Sequence, residues 1–363
     1  MEPRNRPPRV AGTREEEEEE SRQEKENGEE KNRSPREGEE TLDPMIDGAK
    51  SDANRSLFRA LLGDGRPAIS LTAIALMVSG GFAIFLASRR EFLPHDVAFL
   101  GMTSTDLCAI AECRVVHFMF HDRVAFGGTL LAISVLYLWL AAFPLREGLS
   151  WSWWALAVSG VIGFGSFLTY LSYGYLDSWH GTATLVLLPV FVIGLIASRP
   201  QSVRRMGPWL LSDEGRRAPK LQRMGRWMLV ATGAGILLAG SVILYLGATE
   251  VFVAEDLAFM GITRATLDVI NPKLVPLIAH DRAGFGGGLA TTGALLIACA
   301  WYARPSRSFY EAIALAGITG FGAAIGTHFV EGYMNPVHLA PALAGGGLFA
   351  ASLVSELAGA RRS

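Results

Sequence analysis

His121-Asp122-Arg123-Val124-Ala125-Phe126-Gly127-Gly128 returns later in the chain as His280-Asp281-Arg282-Ala283-Gly284-Phe285-Gly286-Gly287. The echo extends on both sides. Upstream, the segment Pro94 to Thr103 (PHDVAFLGMT) aligns with Ala254 to Thr263 (AEDLAFMGIT). Downstream, Gly163-Phe164-Gly165 aligns with Gly320-Phe321-Gly322, and Gly174-Tyr175 and His180 align with Gly332-Tyr333 and His338. The offsets stay between 157 and 160 residues. Separate blocks that agree in order and spacing mark an internal repeat.

Apolar runs surround each block. Eight of them have the length of about 20 residues that crosses roughly 30 Å of hydrocarbon: 68–88, 119–143, 152–174, 179–198, 227–247, 279–301, 309–330 and 337–356. Eight such runs, nearly charge-free inside, argue against buried helices of a soluble protein. The expected fold class is therefore all-α, a polytopic membrane protein of eight transmembrane helices whose first partner is the lipid bilayer. Four spans per repeat is an even number, so the second unit enters the membrane in the same orientation as the first, and the repeats are parallel. Short connections between antiparallel spans predict two tandem four-helix bundles. The expected organisation is a tail over 1–66, a first unit over 67–200, a basic linker over 201–226 and a second unit over 227–357. A short helix is expected near 103–117, with its counterpart near 263–275.

The tail holds almost no large apolar side chains and includes the block Glu15 to Glu20. Its net charge is −5 against −2 for the whole chain, which leaves +3 for the remainder. Such a segment buries too little apolar surface to offset its ordering entropy, and disorder is expected. It has no apolar core of a signal peptide and is too acidic for a transit peptide. A solvated leader or a partner-binding arm both suit it. Lys and Arg gather in the connection 199–226, at Arg304 and Arg307, and at Arg361 and Arg362. The positive-inside rule puts these segments and both termini on the cytoplasmic side of a plasma (inner) membrane. This distribution does not point to a nucleic-acid partner.

His121 and His280 open the second span of their units in this reading, and His180 and His338 open the fourth. Spans two and four run in the same direction, so the four imidazoles are expected at similar depth near the extracytoplasmic face. Two imidazoles facing each other across one bundle suit the axial positions of a haem iron or part of a small metal site. Residues four, seven and eleven beyond each histidine share its face. They are Ala125, Gly128 and Ala132 after His121, Gly284, Gly287 and Thr291 after His280, and Ala342 and Gly345 after His338. Small residues there leave a groove for a flat ligand, or equally let helices pack closely. Arg123 and Arg282 are candidates for forked hydrogen bonds to haem propionates or to an acidic partner. Asp122 and Asp281 are candidate helix caps. Asp96 and Asp256 are expected either to shape the entrance or to be solvated in the loops. Cys108 and Cys113 lie in the first outer loop, where a disulfide is allowed if the chain breaks near Ala111. Cys299 reads as packing. His117, Tyr170, His328 and Glu331 have no equivalent in the other repeat, which suggests that the two units differ in task.

The histidines near one end of spans two, four, six and eight, the tandem four-span units and the cysteine pair resemble heme A synthase. The resemblance implies haem ligands at His121 and His180 in one unit and at His280 and His338 in the other, with haem b on the second pair. It also implies a functional pair at Cys108 and Cys113 and a membrane oxidoreductase served by a redox partner. In this sequence an aspartate separates each span-two or span-six histidine from its arginine, and Phe118 stands where that family has a catalytic glutamate. Two other function classes stay open at this point. One is a small-solute transporter or channel built on parallel repeats. The other is a non-catalytic membrane subunit of a larger complex with the tail as docking arm.

Overall fold

In hydrocarbon every backbone N–H and C=O must be satisfied within the chain, and an apolar run of about 20 residues does this as a helix. The computed structural model describes residues 63–110, 113–175, 178–199 and 207–360, and no strand occurs among the described residues. The acidic tail falls outside them up to residue 62. The helices are α1 (Arg66–Ser88), α2 (Pro94–Leu100), α3 (Ser104–Cys108), α4 (Arg114–Ala142), α5 (Ser150–Phe167) and α6 (Ser178–Ala197) in the first half. The linker carries α7 (Asp213–Arg217). The second half holds α8 (Lys220–Ala248), α9 (Ala254–Met260), α10 (Arg264–Ile270), α11 (Leu274–Tyr302), α12 (Arg307–Glu331) and α13 (Pro336–Ala360). Six of these, α1, α4, α8, α11, α12 and α13, are long and apolar enough to cross a membrane. The chain is thus a multi-pass helical membrane protein. Helix α5 passes at Phe167 into a 3₁₀ turn over Leu168–Tyr173 that stops at Gly174, φ 70°. The expected single helix over 152–174 is therefore interrupted.

Helices α4 and α11 each begin five residues before the expected starts at 119 and 279. Asp122 and Asp281 consequently sit about two turns inside their helices, where the backbone N–H groups are already bonded. They are not caps. The short helix expected near 103–117 is also divided. Helix α3 ends at Cys108, and the left-handed Cys113, φ 60°, starts α4. Helices α2 and α9, which the apolar pattern did not announce, occupy equivalent places in the two halves, after α1 and after α8.

The middle of the molecule is α4 and α11. In their most apolar stretches 67% and 72% of residues are buried, against at most 28% in α1, α8, α12 and α13. Helix α1 packs on α4 as α8 packs on α11, and α6 packs on α1 as α13 packs on α8. The third long helix of each half crosses over: α12 lies against α4, and α5 lies against α11. The two halves interlock within one compact unit, Phe58–Ser363, rather than standing as two separable bundles. The physical reason lies in the charges of α4 and α11, each of whose arginines takes one carboxylate from its own half and one from the other.

Small residues set the closeness of these contacts, as is usual where hydrocarbon removes the hydrophobic drive between helices. A Cβ on Gly286 would overlap the backbone of Leu244, and one on Gly293 that of Leu237. Gly80 and Gly127 meet in the same way between α1 and α4. At the linker end Arg226 is fully buried. Its Nε donates to Glu356 at 3.1 Å, its Nη1 donates to the carbonyl of Ala303 at 2.9 Å, and the guanidinium lies 4.6 Å from the Trp209 ring and 4.5 Å from Phe309. This one side chain ties together the start of α8 and the ends of α11 and α13. Gly286→Ala should lower unfolding stability in detergent by about 1–3 kcal/mol, the usual cost of overpacking. Gly322→Ala, whose added methyl meets nothing within 4 Å, should leave the thermal midpoint unchanged or raise it.

Candidate functional site

The His-Asp-Arg repeats of α4 and α11 face one another, and their charges pair reciprocally. Arg123 leaves α4 between two carboxylates. Its Nη1 is 2.6 Å from Asp96 Oδ2 on α2, and its Nε donates to Asp281 Oδ2 on α11 at 2.8 Å. Arg282 leaves α11 in the mirrored arrangement. Its Nη1 donates to Asp256 on α9 and, at 2.7 Å, to the carbonyl of Val251, while its Nε is 3.4 Å from Asp122 Oδ2 on α4. Tyrosines close both clusters: Tyr175 Oη donates to Asp96 Oδ1 at 2.6 Å, and Tyr333 Oη donates to Asp256 Oδ1 at 2.7 Å. Burial, reinforced by the Asp256 carboxylate, pushes the Tyr333 phenol above its ordinary pKa, so the proton it donates stays in place. Asp96 and Asp256 are 1% and 0% exposed, which removes the solvated-loop reading for both.

The second cluster contains three of the six described imidazoles. His121 Nδ1 is 3.0 Å from Asp122 Oδ1, and its Nε2 is 3.3 Å from His328 Nε2. His328 Nδ1 faces the carbonyl of Tyr333 at 2.6 Å. A carbonyl only accepts, so His328 carries its proton on Nδ1. An ionised Asp122 also only accepts, so His121 carries a proton on its own Nδ1. His338 Nδ1 donates to Tyr333 Oη at 3.1 Å, and its Nε2 is 3.6 Å from Asp256. Outside this core, Glu331 accepts from Arg90 and lies 2.7 Å from His117 Nδ1, at the partly exposed rim.

The first cluster is open where the second is filled. His280 sits beside Tyr175 and Phe167, with ring centres 5.0 and 5.9 Å away. Together with His95, Asp96, Arg123 and Asp281 it forms the polar end of a cavity of about 430 Å³ between α1, α4, α5, α6 and α11. The rest of the wall is apolar, with the rings of Phe82, Phe126, Phe164 and Phe167 and the flat backbone of Gly163, Gly284 and Gly288. The volume falls in the range of small-molecule sites, about 300–1,000 Å³. Gly284 and Thr291, read in the sequence as a groove below His280, do line this space. The equivalent groove below His121 is occupied: Gly128 lies against Ala323 of α12.

The side chains of His180 and Tyr170 lie outside the described residues. The histidines within them do not pair as two bundles would pair them. His121 meets His328 of the other half, and His280 and His338 belong to different clusters. Among the described residues no group of three or more His, Cys, Asp and Glu side chains is arranged to hold a metal ion. Bis-imidazole iron suits the second cluster poorly, because both nitrogens of His121 are engaged and its small-residue groove is filled. Arg123 and Arg282 are each held between two carboxylates, which leaves no surplus positive charge for propionates. Cys108 and Cys113 form a disulfide, with sulfurs 2.07 Å apart, between α3 and α4. Sequence reading noted His328, Tyr175 and Tyr333 but did not assign them as partners of His121, Asp96 and Asp256. The tyrosines were visible as repeated Gly-Tyr pairs, whereas His328 had no repeat signal at all.

A search for relatives adds no identity: no protein-family model, curated protein or solved structure matches the chain.

Arg282→Met should cost about 3–5 kcal/mol of unfolding stability, since it strands two buried carboxylates. Adding Asp256→Asn should recover part of that loss in a double-mutant cycle. Simple additivity of the two losses would show that the pair is not coupled.

Proposed function

We propose that this chain is an eight-span protein of the plasma membrane, with both termini cytoplasmic, that binds a lipid-soluble molecule bearing a polar head. The observation that carries the reading is the cavity of about 430 Å³, apolar along its length and closed at one end by His95, Asp96, Arg123, His280 and Asp281. An apolar pocket with a few convergent polar groups is the usual form of a small-molecule site. Ionisable groups inside a membrane protein mark function more often than packing. Here they supply acid and base groups at the ligand head, the equipment of proton-coupled oxidation and reduction, so a membrane oxidoreductase is the favoured class. Helices α5 and α6 complete the eight spans in this reading, and the basic linker sets the orientation. A mid-membrane ion path has less support, because the charged groups gather at the two ends of the bundle.

Haem remains a second reading for one specific reason: Gly284, Gly288 and Thr291 run along the cavity wall below His280, as a flat macrocycle requires. In that case His280 would be the axial ligand within the described residues, and haem would supply one-electron chemistry.

The test is direct. Protein purified in lipid nanodiscs and extracted with organic solvent should yield a lipid-soluble molecule in near-stoichiometric amount by mass spectrometry. Ala183→Trp, which fills the cavity, should reduce that yield at least tenfold while the protein stays folded. An equal yield from wild type and Ala183→Trp would defeat the cavity reading. An absorption spectrum with haem bands that disappear in His280→Ala would establish the second reading in place of the first.

A further inference from the structure

Two donors on residues that line the cavity, Arg123 Nη2 and Thr184 Oγ1, make no hydrogen bond within the protein. Arg123 Nη2 makes no hydrogen bond, although its side chain is only 6% exposed. The hydroxyl of Thr184 on α6 is also buried without a partner. The second case departs from a rule that other threonines in these helices follow. Thr72, Thr232, Thr291 and Thr292 each donate to the carbonyl four residues back, at 2.8–3.0 Å. A buried polar group left unsatisfied costs about 1–3 kcal/mol, and more when charged. Unpaired donors that line a cavity therefore call for an acceptor from outside the chain.

The charge around Arg123 restricts what that acceptor is. Asp96 and Asp281 together outweigh the single guanidinium, so an anionic head such as a carboxylate or phosphate meets net repulsion. A neutral oxygen meets none. The walls restrict the body. Phe82, Phe164 and Phe167 present rings to the cavity, a wall suited to a planar ring, while Phe126 packs on Gly284 and Gly288. The apolar remainder of the cavity suits a hydrocarbon tail. We propose that the cavity is a quinone site. A ring carbonyl of an isoprenoid quinone accepts from Arg123 Nη2, Thr184 donates to another ring oxygen, and the prenyl tail extends along the apolar wall. This proposal rests on the cavity reading above and narrows it to one ligand class.

The experiment uses full-length protein in nanodiscs, a short-tailed ubiquinone as ligand, and an uncharged polyaromatic fluorophore as a general probe of the cavity. Quinone should displace the fluorophore with a micromolar midpoint. Arg123→Lys keeps the charge between the two carboxylates but loses the second nitrogen. It should weaken quinone at least tenfold while fluorophore affinity changes less than twofold. Thr184→Val should weaken quinone several-fold and leave the fold intact, which supplies a second readout if the lysine variant does not fold. If the fluorophore binds and is excluded by Ala183→Trp, yet quinone fails to displace it, the quinone inference is overturned and the cavity reading stands. Displacement by phospholipid alone overturns it in the same way. If the fluorophore is indifferent to Ala183→Trp, both readings fall.

Discussion

Two guanidinium groups, each held between a carboxylate of its own half and a carboxylate of the other, fix the arrangement of the helices. Arg123 and Arg282 lie on helices that are apolar enough to enter a bilayer, where an unpaired cation is expensive. Each half balances its arginine in charge with its own aspartate, and the second carboxylate ties the two halves together. Asp281 must come from α11 to Arg123, and Asp122 from α4 to Arg282. That requirement draws α4 and α11 into the centre and explains why they are the most buried of the long helices. The short helices α2 and α9 are held for the same reason, since Asp96 and Asp256 are the own-half carboxylates of each set. Tyr175 and Tyr333 follow, because each buried carboxylate needs a donor for its remaining oxygen.

Duplication then permits divergence. The frame of aspartate, histidine-aspartate-arginine and tyrosine is the same in both halves, but the space beside it is used differently. In the second cluster His328 fills the space next to His121, and α12 fills the groove through Ala323 against Gly128. In the first cluster the corresponding region is left as the cavity beneath His280. A pair of related sites in which one is packed solid and the other is hollow fits a division between support and binding.

Much of this was legible before any coordinates. The long helices follow from hydrocarbon length and composition, and the repeat located Asp96, Asp256, both His-Asp-Arg triplets and both Gly-Tyr pairs. What escaped was the choice of partner. Sequence spacing told that His121 and His338 lie near one end of their helices. It carried no information about which half each would face, because a parallel duplication makes partners within a half and across halves look alike. His328 stood out only as a histidine without an echo, and nothing in the spacing tied it to His121. Arg226 was counted as one more basic residue of the linker, and only its burial against Glu356, Trp209 and Phe309 distinguishes it. The helix starts were displaced because residues 114–118 and 274–278 continue the helical hydrogen bonding beyond the apolar runs.

The exchange of α5 and α12 between the halves also constrains how the chain is made. A ribosome delivers α1 to α6 before α8 to α13 exist, so the early helices wait in the bilayer with α4 uncovered on the side that α12 will occupy. Arg123 meanwhile has Asp96 but not Asp281. The nascent first half is therefore an unfinished object, open to chaperones and to quality-control proteases until α11 arrives. Splitting the gene at the linker should give fragments that mature only when expressed together.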